Sequence, residues 1–242
     1  MSIPRLPLLF CAALANSIAF TPPGPPPNRK ERMRHTSAWE RVFNVIVPHL
    51  TRYMKNIGWV IFAGEATAVL ASYYPSFPPS QYILRLLTHL GLPPSPNTRI
   101  SPSLLLGTAL AVTGAVIRTR CYRALGRFFT FQLALRRAQG QRLCTAGPYA
   151  VVRHPSYSGL ILTIAAFALW TAGPGSWLRE SGWLATPIGR AWFWAQNGVN
   201  LYAVGSLLLR TRVEDEALRD EFVQEWEHWA SEVPYKILPW IF

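Results

Sequence analysis

Five apolar stretches separated by short polar blocks set the pattern of this chain: residues 1–21, 56–74, 101–117, 157–172 and 191–209. Each approaches the roughly 20 residues that a helix needs to cross the hydrocarbon core of a bilayer. None shows the period-two alternation of a membrane barrel strand, so helices are the spanning elements the pattern supports. The first run is interrupted by Pro4, Arg5 and Pro7 and leads into the proline-rich stretch TPPGPPPN, expected to be an extended, semi-rigid linker. A span and a cleaved signal peptide both fit this run. The span is favoured because the flanking charge follows the run instead of preceding it.

Residues 38–55 predict an amphipathic cytosolic or interfacial helix, with Trp39, Val42, Phe43, Ile46, Val47 and Leu50 on one side. The second span carries Glu65 near its middle, at an insertion cost of about 2.5 to 3.5 kcal/mol. That carboxyl is expected to face other helices, to be protonated or to line a cavity. Residues 75–100, rich in Pro, Ser and aromatics, read as an outward-facing loop with an interfacial helix at 81–90. In the third span, Gly107, Thr108, Ala111 and Gly114 form a small-residue face suited to close helix contact. Residues 128–137 fit a short strand or an interfacial segment, and the periodicity does not choose between them. Gly173-Pro174-Gly175 ends the fourth span, and residues 176–190 form a short loop.

Charge fixes the expected sidedness. Arg29, Lys30, Arg32, Arg34, Arg41 and Lys55 follow the first span. Arg118, Arg120, Arg123, Arg127, Arg136, Arg137, Arg142 and Arg153 lie between the third and fourth, with no acid among them. Five spans with alternating sides put every one of these blocks in the cytosol. Only 15% of residues are charged, against about 25% in ordinary soluble domains. The net charge of +12 does not indicate nucleic acid, because the basic residues cluster beside apolar segments and no nucleic-acid motif accompanies them. Cys11, Cys121 and Cys144 are scattered without metal-ligand spacing, so free thiols and no metal are expected. The expected divisions are 1–56 (first span, linker and interfacial helix), 57–120 (second and third spans) and 121–242 (a core with the last two spans and a C-terminal helix).

Candidate chemistry concentrates in two places. The first is Gly147 to Gly159, GPYAVVRHPSYSG, which runs directly into the fourth span. Gly147-Pro148 breaks the preceding segment, and Pro155 falls where a helix tolerates proline best. Arg153 and His154 therefore precede a helix N-terminus, whose free N–H groups and positive dipole end suit an anionic or polar ligand group. A plain juxtamembrane anchor, with Arg153 on lipid phosphate and Tyr157 at the interface, also fits these residues.

The second place follows the fifth span. Eight of the twelve acids lie there: Glu214, Asp215, Glu216, Asp220, Glu221, Glu225, Glu227 and Glu232. Leu218, Phe222, Trp226 and Trp229 recur at helical spacing, which predicts an amphipathic cytosolic helix stopped by Val233-Pro234. Arg210 and Glu214 share a helical face at the membrane boundary, a pair worth only a few tenths of a kcal/mol in isolation.

Arg-His-Pro-Ser-Tyr-Ser-Gly opening a membrane helix, followed after a helical hairpin by RTRVEDEALRDEFVQEWEHW and Val-Pro, resembles the signature of the isoprenylcysteine carboxyl methyltransferases and their relatives among the membrane phospholipid methyltransferases. The likeness covers residues 142–240; earlier residues agree only in topology. Trp226 and Trp229 stand where tyrosines are common in relatives.

The resemblance implies an all-α integral membrane protein of about five transmembrane helices, whose cytosolic amphipathic C-terminal helix completes a site for S-adenosyl-L-methionine. It further implies methyl transfer to the C-terminal carboxylate of the prenylated cysteine of CaaX proteins, in the endoplasmic reticulum with the site facing the cytosol. On that reading Arg153 and Arg210 handle carboxylates, of substrate or cofactor, because a guanidinium fork binds them bidentately. Glu214 orients an arginine or accepts the cofactor's amino group. His154 and the backbone around Pro155 bind the cofactor, and Tyr149 and Tyr157 shape its pocket. The rival readings are a phospholipid N-methyltransferase, an NADPH-dependent membrane sterol reductase and a non-catalytic membrane adaptor.

Overall fold

The computed structural model of the chain describes residues 3–25, 38–87, 98–131 and 140–241. Arg29, Lys30, Arg32, Arg34, Arg136 and Arg137 of the basic blocks lie outside them. The described residues form helices and no strand: α1 (Arg5–Ala19), α2 (Ala38–Tyr73), α3 (Pro78–Leu87), α4 (Pro102–Leu125), α5 (Pro155–Ala172), α6 (Trp177–Glu180), α7 (Pro187–Phe222) and α8 (Gln224–Glu232). Short 3-10 turns occur at Gly126–Phe128, Gly147–Ala150 and Trp183–Ala185.

Pro102, Pro155 and Pro187 each open a helix, where the missing N–H costs nothing and the fixed φ suits the first turn. Two helical stretches, Pro102–Phe128 and Pro155–Glu180, are long and apolar enough to cross a membrane, while Arg5–Ala19 is apolar but shorter.

Several boundaries differ from the sequence reading. The amphipathic segment 38–55 and the second span are one helix of 36 residues, which continues through Pro48. No helix breaker lies between Pro48 and Gly58, and the polar residues there are compatible with helix. The fifth span and the start of the acidic segment are likewise one helix, α7, and the expected C-terminal helix divides at Val223. Val223 has φ 41°, a conformation a β-branched residue adopts only under constraint. At 128–131 no strand forms, and the helix expected at 81–90 is α3, which begins at Pro78; residues 132–137 and 88–90 of those two readings lie outside the described residues.

By packing, the chain divides into two units. The first comprises Met1–Ser17, Met54–Thr113 and Leu162–Tyr202. Within it Glu65, which the sequence left facing other helices, protonated or lining a cavity, pairs with Arg5 of α1 at 2.6 Å, both side chains buried. Arg5 also donates to the carbonyls of Arg99 (3.0 Å) and Gly175, so one guanidinium ties α1 to two loops and a carboxylate. Asn16 donates to the Met54 carbonyl at 2.8 Å, and Gly107 permits the close approach expected of its face: a Cβ there would lie 3.2 Å from the Ala166 carbonyl oxygen.

The second unit comprises Ile18–Tyr53, Gly114–Ile161 and Ala203–Phe242, and it holds both candidate motifs. Its buried cluster is Cys121, Phe129, Tyr149, Trp229 and Val233, joining α4, the Gly147 turn and the C-terminus. Burying such rings removes large apolar areas from water, each worth about 1.5 to 3 kcal/mol.

Candidate active site

The turn that carries the first motif is shaped by its glycine and prolines. Gly147 sits at φ 63°, and Pro148 then begins a 3-10 turn that buries Tyr149. The Tyr149 carbonyl accepts from the Trp229 indole at 3.1 Å, which fastens the turn to α8. The next residues pair with the chain's C-terminal segment: Arg153 N–H donates to the Tyr235 carbonyl (2.9 Å) and His154 N–H to that of Lys236 (2.7 Å). Ser158 adds a bond to the Ile237 carbonyl at 2.5 Å. Residues 235–237 thus run alongside the start of α5 and hold it.

The α5 N-terminus is braced from the other side by Arg118. This residue, expected among the cytosolic basic positions, is buried. It donates to the Ser156 hydroxyl (2.9 Å) and carbonyl (3.1 Å) and to Tyr122 (2.8 Å), and its guanidinium lies 4.9 Å from the Phe131 ring centroid. Gly159 allows the approach, since a Cβ there would stand 2.7 Å from the Gly114 carbonyl oxygen.

Two adjacent acids on α7 complete the arrangement. Asp215 takes the Arg153 fork, at 3.3 Å from Nε and 3.1 Å from the terminal nitrogen, and Arg153 also donates to the carbonyls of Val233 (2.9 Å) and Pro234 (3.0 Å). Lys236 approaches the same carboxylate at 3.5 Å. Glu214 accepts from the Tyr157 hydroxyl and pairs with Arg210 at 3.1 Å. Arg210 further donates to the Phe131 carbonyl at 2.8 Å and lies 4.6 Å from the Phe43 ring centroid.

His154 lies between the two acids, Nε2 at 3.0 Å from Asp215 and Nδ1 at 3.4 Å from Glu214. Its ring stacks on Tyr157 at 5.5 Å. Burial opposes its charged form, but the bonds to Asp215 and Glu214 outweigh burial and raise its pKa above the ordinary value. Only the imidazolium donates from both nitrogens, so it alone satisfies both carboxylates. Burial likewise opposes ionisation of Glu214 and Asp215. Arg210 and His154 nevertheless hold Glu214 below the ordinary range, and His154 and Arg153 do so for Asp215.

Beside this network opens a cavity of about 140 Å³, lined by Phe128, Phe129, Tyr149, Cys144, Arg142, Arg153, His154, Tyr157, Glu214 and Trp229 among others. Of the residues named from the sequence, Tyr149, Arg153, His154, Tyr157 and Glu214 line it. Arg210 reaches it through Glu214, and buried Pro155 serves as the first residue of α5. Among the described residues no cluster of metal-ligating side chains occurs. Sequence reasoning missed Asp215 as the partner of Arg153, Arg118 as a brace, and residues 235–237 as a backbone partner. Only Asp215 left a usable signal, as the second acid after Arg210.

Residues 102–186 match the family model described as phospholipid methyltransferase. This segment contains α4, the first motif and α5, and ends before Arg210. The chain is also 34% identical over 67 residues to protein-S-isoprenylcysteine O-methyltransferase B of Arabidopsis thaliana. That alignment covers 28% of this chain and 30% of the relative, so the likeness is to less than a third of the curated protein. No solved structure matches. Each match covers less than half of this chain, and both are to proteins described as methyltransferases.

Proposed function

We propose that the protein is a membrane-embedded methyltransferase that uses S-adenosyl-L-methionine to methylate the C-terminal carboxylate of a prenylated cysteine, giving a methyl ester. The observation that carries this reading is the meeting of the two motifs at one cavity, where Glu214 bonds both His154 and Tyr157 of the Arg-His-Pro segment.

The donor set fits the cofactor. Phe128, Phe129, Tyr149 and Trp229 offer aromatic walls for a nucleoside, and Glu214, held ionised, offers an anion to a ligand bearing sulfonium and ammonium charges. When bound, the cofactor supplies a methyl group made electrophilic by the positive sulfur. The chain's task is then alignment and exclusion of water. Tyr157 and His154 fix the Glu214 carboxylate, and Arg210 stabilises its charge from behind. Arg153, engaged by Asp215 and two carbonyls, holds the C-terminal segment against the start of α5.

A carboxylate acceptor is already ionised at neutral pH and needs no general base. The cavity suits such an acceptor. His154 is biased toward its protonated form and Glu214 toward its weakly basic carboxylate. A phospholipid amine, the second reading and the one that the family description favours, would need a proton acceptor among these groups.

The lipid chain of the acceptor would enter laterally between helices, its carboxylate staying at the cytosolic boundary of the endoplasmic reticulum membrane. The five-span topology is part of this proposal.

The test is purified protein with methyl-labelled S-adenosylmethionine and either N-acetyl-farnesylcysteine or phosphatidylethanolamine. Base-labile label on the prenylcysteine is the expected result. Label on the amine lipid would favour the second reading, and label on neither would overturn both.

A further inference from the structure

We propose that Arg142 receives the amino-acid carboxylate of the cofactor; the inference rests on the methyltransferase reading above. Both arginines that the sequence offered for carboxylate binding are engaged within the protein. Arg153 spends its fork on Asp215 and its remaining donor on the Val233 and Pro234 carbonyls. Arg210 is joined to Glu214 and the Phe131 carbonyl and does not line the cavity. His154, the third cation there, lies between Glu214 and Asp215. Arg142 lines the same cavity, is exposed, and forms no hydrogen bond or ion pair among the described residues.

Its place is fixed by its neighbours. Residues 141–145 run without helix between two glycines of positive φ, Gly140 (83°) and Gly147 (63°), while Leu143 and Cys144 pack against the cluster of Cys121, Phe129, Tyr149 and Trp229. The backbone is therefore anchored on the core next to the arginine, and the long side chain keeps its charge at the cavity wall.

Among the described residues, Arg142 and Glu214 give the cavity an uncommitted cation and a carboxylate. An amino-acid terminus, with an ammonium and a carboxylate on one carbon, matches that pair of opposite charges. An acylated prenylcysteine carries a carboxylate but no ammonium and matches only half of it. The fork of an arginine binds a carboxylate through two parallel charge-assisted bonds.

The test compares binding of S-adenosylhomocysteine with that of its decarboxylated analogue, S-adenosyl-3-thiopropylamine, to the full detergent-solubilised protein by calorimetry. Wild type is expected to prefer the carboxylate-bearing ligand by roughly tenfold, the usual scale of one charge-assisted contact at a partly exposed site. In Arg142→Gln that preference disappears while the analogue binds as before, and Arg142→Lys keeps part of it. A preference that persists in Arg142→Gln overturns the assignment, as does a parallel loss for both ligands. Failure of wild type to bind either nucleoside would overturn the methyltransferase reading along with it.

Discussion

Replacing Asp215 by asparagine should cost far more than the same acid-to-amide change at its exposed neighbour Glu216. Its carboxylate, 10% exposed, is shared by Arg153, His154 and Lys236 at 3.0 to 3.5 Å. In Asp215→Asn the Arg153 guanidinium stays buried without its counter-charge, and an amide nitrogen is turned toward a donor. Removing one partner of a buried pair costs about 3 to 5 kcal/mol. The asparagine oxygen keeps one acceptor, which puts the expected loss near the lower end, about 3 kcal/mol. For a chain of this length that corresponds to a fall in melting temperature on the order of 10 °C. The assay is thermal unfolding of the detergent-solubilised protein, with Glu216→Gln as control. Glu216, on the next position of α7, is exposed, and its loss should stay within about 0.5 kcal/mol. A paired change, Arg153→Met with Asp215→Leu, should recover part of the stability, because the buried guanidinium is removed together with its counter-charge while His154 keeps Glu214. If Asp215→Asn melted together with Glu216→Gln, the account of this network would be wrong.

Other outcomes follow from the same structure. Since Glu214 and Asp215 are depressed, their stabilisation is complete above the ordinary carboxylate range of about 4 and is lost as pH falls through the lowered values. His154 is raised, so its contribution is complete below about pH 6.5 and is lost as pH rises through its higher folded value; His154→Asn should remove that alkaline fall from a profile of melting temperature against pH. Gly159→Ala should destabilise by about 1 to 3 kcal/mol, its Cβ meeting the Gly114 carbonyl oxygen at 2.7 Å, whereas Gly205→Ala on α7, with nothing within 4 Å, should be neutral or stabilising in the same melts. Arg5→Leu alone strands buried Glu65 and should cost about 3 to 5 kcal/mol, while Arg5→Leu with Glu65→Leu should melt closer to wild type.

The sequence made most of the helices legible because membrane-length apolar runs and helix-opening prolines are local signals, as at Pro102 and Pro155. It also located the cavity's charged and aromatic groups at Tyr149, His154, Tyr157 and Glu214. Their partners were not legible, because pairing across 57 to 80 residues of chain leaves no periodic trace. Arg118 shows the difficulty. Among exposed arginines it reads as one more positive charge beside a membrane, and only the packing reveals that its guanidinium braces Ser156. Helix ends were misread where polarity changed without a breaker, near residue 55 in α2 and residue 210 in α7, because amphipathic character and helix continuity are independent properties.

The most direct test of the central claim is ultraviolet crosslinking of methyl-labelled S-adenosylmethionine to the purified protein, with the labelled peptides mapped. Label should fall on peptides from both halves of the cavity, around Phe128 to Tyr157 and around Glu214 to Trp229, and excess S-adenosylhomocysteine should abolish it. Specific label confined to one of these segments, or lying in neither, would contradict the claim that the two motifs enclose a single cofactor.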